Sequence, residues 1–71
     1  MPRFDVDNVF CYHAPFGTQQ ERYVAIREKA KEMALLILAS SPESREQSTA
    51  LTSLQATVMW TNAAIAINEK A

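Results

Sequence analysis

The sequence predicts an all-α protein: an antiparallel helical hairpin behind a short extended N-terminal segment, assembled into a homo-oligomer. Three observations predict it. Two long stretches repeat apolar residues at the three- and four-residue spacing of a single helix face. Each stretch opens on a capping signature, and a Ser-Ser-Pro corner separates them. Within them, two shorter runs are apolar on every side, which is more surface than one hairpin can cover.

The chain reads as a single domain. Residues 1–17 form the N-terminal segment and 18–71 the hairpin, with helices at about 18–39 and about 44–69. In the first part, Val9, Phe10 and Tyr12 suggest an extended piece closed by a turn at Pro15 and Gly17. Alternation along it places Phe10 and Tyr12 on one side and Cys11 and His13 on the other. Phe10 and Phe16 are expected to pack.

The first long helix starts at Thr18, where Thr18-Gln19-Gln20-Glu21 fits a capping box. Tyr23, Ile26, Ala30, Met33 and Ile37 make its inner face. Ser40-Ser41-Pro42 ends it, because the residue before a proline avoids helical angles. The second begins at Ser44, with Ser44 and Gln47 in the capping-box positions. Gln47, Leu51, Leu54, Val58, Thr61 and Ile65 form its inner face. The short connection makes the helices antiparallel neighbours.

"MALLILA", from Met33 to Ala39, and "AAIAI", from Ala63 to Ile67, are the runs without a polar side. In an antiparallel hairpin they lie at opposite ends, each beside the polar start of the other helix. Two patches at opposite ends call for two kinds of subunit contact, and so for an assembly larger than a dimer. A simple four-helix dimer that buries everything at once is the alternative. Trp60 is expected to anchor such a contact.

Composition points the same way. A chain of 71 residues makes a thin core. Single cores below about 70–80 residues rarely supply more than about 3–5 kcal/mol. With one cysteine no disulfide closes within the chain, and one histidine with one cysteine is no zinc site. Oligomerisation is the remaining remedy, and a hydrophobic content of 48% can supply its interfaces. The net charge of -1 argues against a general DNA grip by counterion release. No apolar run approaches a membrane span, and "MPRFDVDN" lacks the apolar core of a signal peptide. A lone Cys11 suits a reducing cytosol. Asp5, Asp7 and Asn8 lack the glycine and closing glutamate of a calcium loop. No cofactor is expected.

The residues that can carry chemistry gather in the first half. Tyr12 is either an aromatic staple on the helices or a ring free to stack on a base, a contact that tolerates many bases. His13 orders the turn or donates to a ligand. Cys11 and His13 are close enough for a nucleophile and base, but no orienting carboxylate or oxyanion hole accompanies them. Arg27 and Lys31 lie one turn apart on one face and can grip a phosphate together, with Arg27 supplying forked hydrogen bonds. The plainer reading pairs them with Glu28 and Glu32. Lys29 faces elsewhere. Thr61 and Asn62 interrupt an apolar region, where buried polar groups need partners and can fix helix register.

Four motifs, in this order, give the chain a family look: "YHAP", "RYVAIR", "SREQSTALT" and "MWTNAAIA". From about Asn8 to Ala66 the sequence resembles the phage anti-CBASS sponges, small proteins related to the anti-Thoeris sponges. The resemblance implies a hairpin subunit in a hexamer of three dimers, without enzymatic activity. It implies cyclic dinucleotides held between subunits in the cytoplasm of the host bacterium, away from the effector they would trigger. Tyr12 matches the family tyrosine that stacks on a base, and His13 shares its motif. The phosphate-binding cation falls on Arg27, with Lys31 as the alternative. Some members also hold cyclic trinucleotides. They often carry arginine after "AIA", where this chain has Ile67, with Lys70 the nearest substitute. The competing reading is an oligomeric hairpin that docks on a host protein.

Overall fold

Residues 4–70 are described by a computed structural model; Met1, Pro2, Arg3 and Ala71, which fall within the expected N-terminal segment and hairpin, lie outside the described residues. Three helices follow in order, α1 (Val6–Val9), α2 (Gln19–Ser40) and α3 (Arg45–Asn68), with no strand among the described residues. α2 and α3 form the antiparallel hairpin, which is elongated, with extents of 43 × 26 × 19 Å.

The N-terminal segment departs from the extended piece expected around Val9. Asp5 caps α1 by accepting a hydrogen bond from the Asn8 backbone N–H at 3.1 Å. The Val9 and Phe10 amides then donate to the Asp5 and Val6 carbonyls at 2.9 and 3.0 Å. A short polar side chain that bonds its own backbone outweighs the β preference of Val9 and Phe10. The acidic residues at 5 and 7 thus belong to a capped helical turn. Phe10 is exposed, with the ring of Phe4 at a centroid distance of 6.1 Å, and it is not buried in the hairpin. Gly17 has φ +56, the left-handed angle that lets the chain turn into α2.

The two expected capping boxes turn out differently. Ser44 accepts from the Gln47 amide at 3.1 Å. The Gln47 side chain reaches past Ser44 and donates to both the carbonyl and the hydroxyl of Ser41, at 2.9 and 3.1 Å. Thr18 makes no side-chain cap, because its hydroxyl accepts from Arg22 Nε instead. The start of α2 is held by Gln19, whose Oε1 accepts from the Phe16 amide at 3.2 Å.

Facing stripes run down the hairpin. On α2 the stripe of half-buried residues is Tyr23, Ile26, Ala30, Ala34 and Ile37; Met33, expected among them, is exposed. On α3 the stripe is Leu51, Leu54, Val58, Asn62 and Ile65, with Asn62 in place of the expected Thr61. Each shift moves the inner position by one residue, a rotation of about 100° about the helix axis that carries it from one edge of the stripe to the other. Thr61 is exposed and donates to the Thr57 carbonyl at 2.7 Å. Asn62 Oδ1 is buried and has no hydrogen-bond partner among the described residues.

The two runs without a polar side differ. Leu35, Leu36 and Leu38 are exposed, as are Met59 and Trp60 on α3. Ala63, Ile65, Ala66 and Ile67 are half-buried. The chain's own N-terminal segment lies at that end, tied by Asn8 Nδ2, which donates to the Ile67 carbonyl at 2.9 Å. The second patch is therefore partly covered within one chain, contrary to expectation.

The unequal caps make a testable contrast. Ser44→Ala should lower stability by about 1 kcal/mol in urea unfolding. Thr18→Ala, which removes no capping bond, should cost only a few tenths of that. Equal losses would contradict the cap assignment.

Candidate functional site

The chemistry collects where α2 begins and α3 ends. Asn8 is the junction of the N-terminal segment. Its side chain caps an α3 carbonyl, one of the last four that a helix leaves without an internal partner. Its own carbonyl accepts from His13 Nε2 at 2.6 Å and from Cys11 Sγ at 3.4 Å. A carbonyl has two lone pairs and can take both. The side chains of the two residues that flank Tyr12 are therefore drawn to one atom. The Tyr12 ring is left outside, 85% exposed. It does not staple the segment to the helices of its own chain.

The same bonds bear on Cys11 and His13. They share a side, as the alternation implies, with Sγ 3.5 Å from Nε2. A contact of 2.6 Å to a carbonyl requires that Nε2 carry the hydrogen. That nitrogen is a donor already engaged, and it cannot also receive the thiol proton.

Beside this segment stands a polar latch that motif reading did not reveal. Arg22 forks onto Glu69, with Nη1 donating to Oε2 at 2.7 Å and Nη2 to Oε1 at 2.6 Å. Gln19, only 2% exposed, donates to the same carboxylate at 3.2 Å. The Arg22 hydrogen bonds, then that of Gln19, hold the Glu69 carboxyl at about 2, well below its ordinary 4.5. The fork in turn raises Arg22 above its ordinary range. Glu69 lies forty-seven residues from Arg22, and nothing local in the sequence signals such a partner.

Arg27 and Lys31 lie elsewhere on α2. Arg27 is eight residues beyond Gln19, about 12 Å along the axis at 1.5 Å per residue. The two cations border a groove of about 310 Å³ between α2 and α3, whose floor includes Ala30, Ala34, Leu51 and Val58. Among the described residues neither makes an ion pair, whereas Lys29 pairs with Glu32 at 3.4 Å. The cations expected to grip an anion are thus left without a carboxylate among the described residues, as are Arg45 and Lys70. Tyr12 and His13 do not line this groove, so a single chain leaves ring and cations apart. A larger apolar groove of about 700 Å³, bordered by Leu36, Ile37, Pro42 and Ala50, lies at the hairpin tip and includes none of the expected site residues.

Among the described residues no three His, Cys, Asp or Glu side chains come together as a metal site. No helix among them is long and apolar enough to cross a membrane.

These features describe a small helical hairpin that presents an anchored aromatic ring and unpaired cations on its surface. The family model for the Acb2/Tad1 hairpin domain matches residues 4–66, most of the chain. The protein belongs to this family, the anti-CBASS and anti-Thoeris sponges, a non-catalytic type of domain that takes up signalling nucleotides. Neither the curated proteins nor the solved structures searched gave a match.

The latch gives a pH dependence with a definite sign. A carboxyl whose folded value lies below its unfolded one stabilises the fold at all pH above the unfolded value. That contribution disappears as pH falls from about 4.5 toward about 2. Wild-type protein should lose melting temperature across this window, and Glu69→Gln should show a flatter profile there. A Glu69 carboxyl titrating near 4.5 by NMR would contradict the latch.

Proposed function

We infer that the protein captures cyclic dinucleotides without chemical change, in clefts formed where copies of the hairpin meet. Capture in the cytoplasm of a phage-infected bacterium withholds the messenger from the CBASS effector that it would trigger. The assembly in this reading is a hexamer of three dimers.

One observation carries the reading. Tyr12 is 85% exposed although both of its neighbours are tied to the Asn8 carbonyl, so a large ring faces outward from an anchored backbone. A ring held in that way is ready to stack on a flat base. Arg27 and Lys31 supply unpaired positive charge for two phosphates, with guanidinium the better fork for a phosphate oxygen pair. His13 contributes its free face beside Tyr12. Because ring and cations do not share a groove within one chain, the ligand bridges copies and draws Tyr12 from one and Arg27 from another. The exposed Leu35, Leu36, Leu38 and Trp60 supply the apolar contact that brings copies together. Such a ligand stabilises the assembly by linkage, because it binds only the assembled form. Ile67 offers no charge to a cyclic trinucleotide, so the proposal is limited to the dinucleotide.

Tyr12→Ala should weaken capture roughly 5- to 150-fold by calorimetry, the range of one base stack, and Arg27→Ala roughly 10- to 150-fold, the range of a hydrogen bond to a charged group, and both should leave the assembly size unchanged. Normal binding of a cyclic-dinucleotide panel by both variants would refute the site. A thermal-shift screen checks the function itself: at least one cyclic dinucleotide should raise the melting temperature. If none does, the competing account of a hairpin that only docks on a host protein stands.

A further inference from the structure

We propose that Asn8 is the positioning residue of the capture site: it locks the Tyr12 ring in its outward pose by joining the Tyr12 segment to the end of α3. The proposal rests on the capture reading above and adds a residue to it. Three observations point to Asn8. Its side-chain amide crosses fifty-nine residues of sequence to donate to the Ile67 carbonyl at 2.9 Å. Its backbone carbonyl takes the His13 and Cys11 donors, which are the immediate neighbours of Tyr12 on either side. Its backbone N–H is held by the Asp5 cap of α1. One residue thus ties a short helix, a long helix and the loop that bears the ring.

The energetic logic is preorganisation. The next tie along the chain is the Phe16 amide on Gln19 Oε1, four residues beyond Tyr12, and Phe10 and Tyr12, both exposed, bury little apolar area against the hairpin. Without the Asn8 side chain, the segment separates from Ile67 and Tyr12 samples many poses. Apparent affinity then falls by the fraction of time spent in the competent pose. Asn8 does not need to touch the ligand for this. Its effect is exerted chiefly through the pose of Tyr12, which is what makes it separable from a general loss of stability.

A double-mutant cycle tests this on full-length protein, with Asn8→Ala, Tyr12→Ala and the double variant titrated against the cyclic dinucleotide that most stabilises wild type. Asn8→Ala should weaken capture about three- to tenfold when Tyr12 is present and less than twofold when it is absent. Equal weakening in both backgrounds, or none in either, would overturn the proposal. A residue with a merely structural role would weaken both backgrounds alike. If Asn8→Ala does not fold, backbone relaxation of ligand-free wild type decides. Order parameters near 0.85 over residues 8–13 support the lock, and values below about 0.6 overturn it. The capture reading fails separately, if wild type binds no cyclic dinucleotide; an additive cycle on a protein that does bind removes Asn8 alone.

Discussion

Two helices laid side by side can hide only the stripe where they touch, and this constraint shapes everything else in the protein. Among the described residues no apolar side chain is fully buried; the facing stripes of α2 and α3 are half-covered. The two buried residues are glutamines, one at each end of the hairpin. Gln19 joins the start of α2 to Glu69 beyond α3, and Gln47 joins the start of α3 to Ser41 at the end of α2. A pair of helices is therefore pinned at both ends by polar contacts while the apolar stripe between them is only half-covered. Polar pins fix geometry well but add little net stability, because each bond replaces one to water. In the proposed assembly, the apolar burial that folding requires comes from other copies of the chain.

The same constraint explains why the N-terminal segment matters. The end of α3 is rich in alanine and isoleucine, and its last carbonyls lack intrahelical partners. The segment meets both needs, with Asn8 capping Ile67 and the chain covering part of the apolar run. What remains outside is the ring of Tyr12. The outward ring is thus a by-product of how the segment is tied, since its two neighbours turn inward to one carbonyl. The Arg22–Glu69 fork and Gln19 close the base of this arrangement, so the part of the fold that carries the ring is also the part with the densest polar bonding.

The hairpin was legible in the sequence because its signals are local. Helix spacing, the Ser44 cap and the Ser41-Pro42 stop each act within a few residues, and the observed α2 and α3 begin and end within one residue of the expected helices. The shifts at Met33 and Thr61 are errors of phase within correct helices. What the sequence concealed was long-range. Glu69 reads as a solvated charge near the end of the chain until Arg22 and Gln19 are found beside it. Asn8 stands in the sequence only as part of an incomplete calcium-loop pattern until Ile67 is found beside it. Around Val9 and Phe10 the β preference of the side chains masked a helical turn imposed by the Asp5 cap. Tyr12, His13, Arg27 and Lys31 stood out by residue type. Their division between the loop end and the inter-helix groove did not, because it depends on where the loop is anchored.

The chain belongs to the anti-CBASS and anti-Thoeris sponge family; in the function proposed for it, apolar surface shared between copies creates the clefts. Assembly and folding are then a single equilibrium, and the ligand acts on both. The most direct test is urea unfolding of ligand-free protein over a wide range of protein concentration, with sedimentation on the same samples. The account predicts a midpoint that rises with concentration and a folded species that is always an assembly. A midpoint independent of concentration, with a folded lone hairpin in the centrifuge, would contradict it.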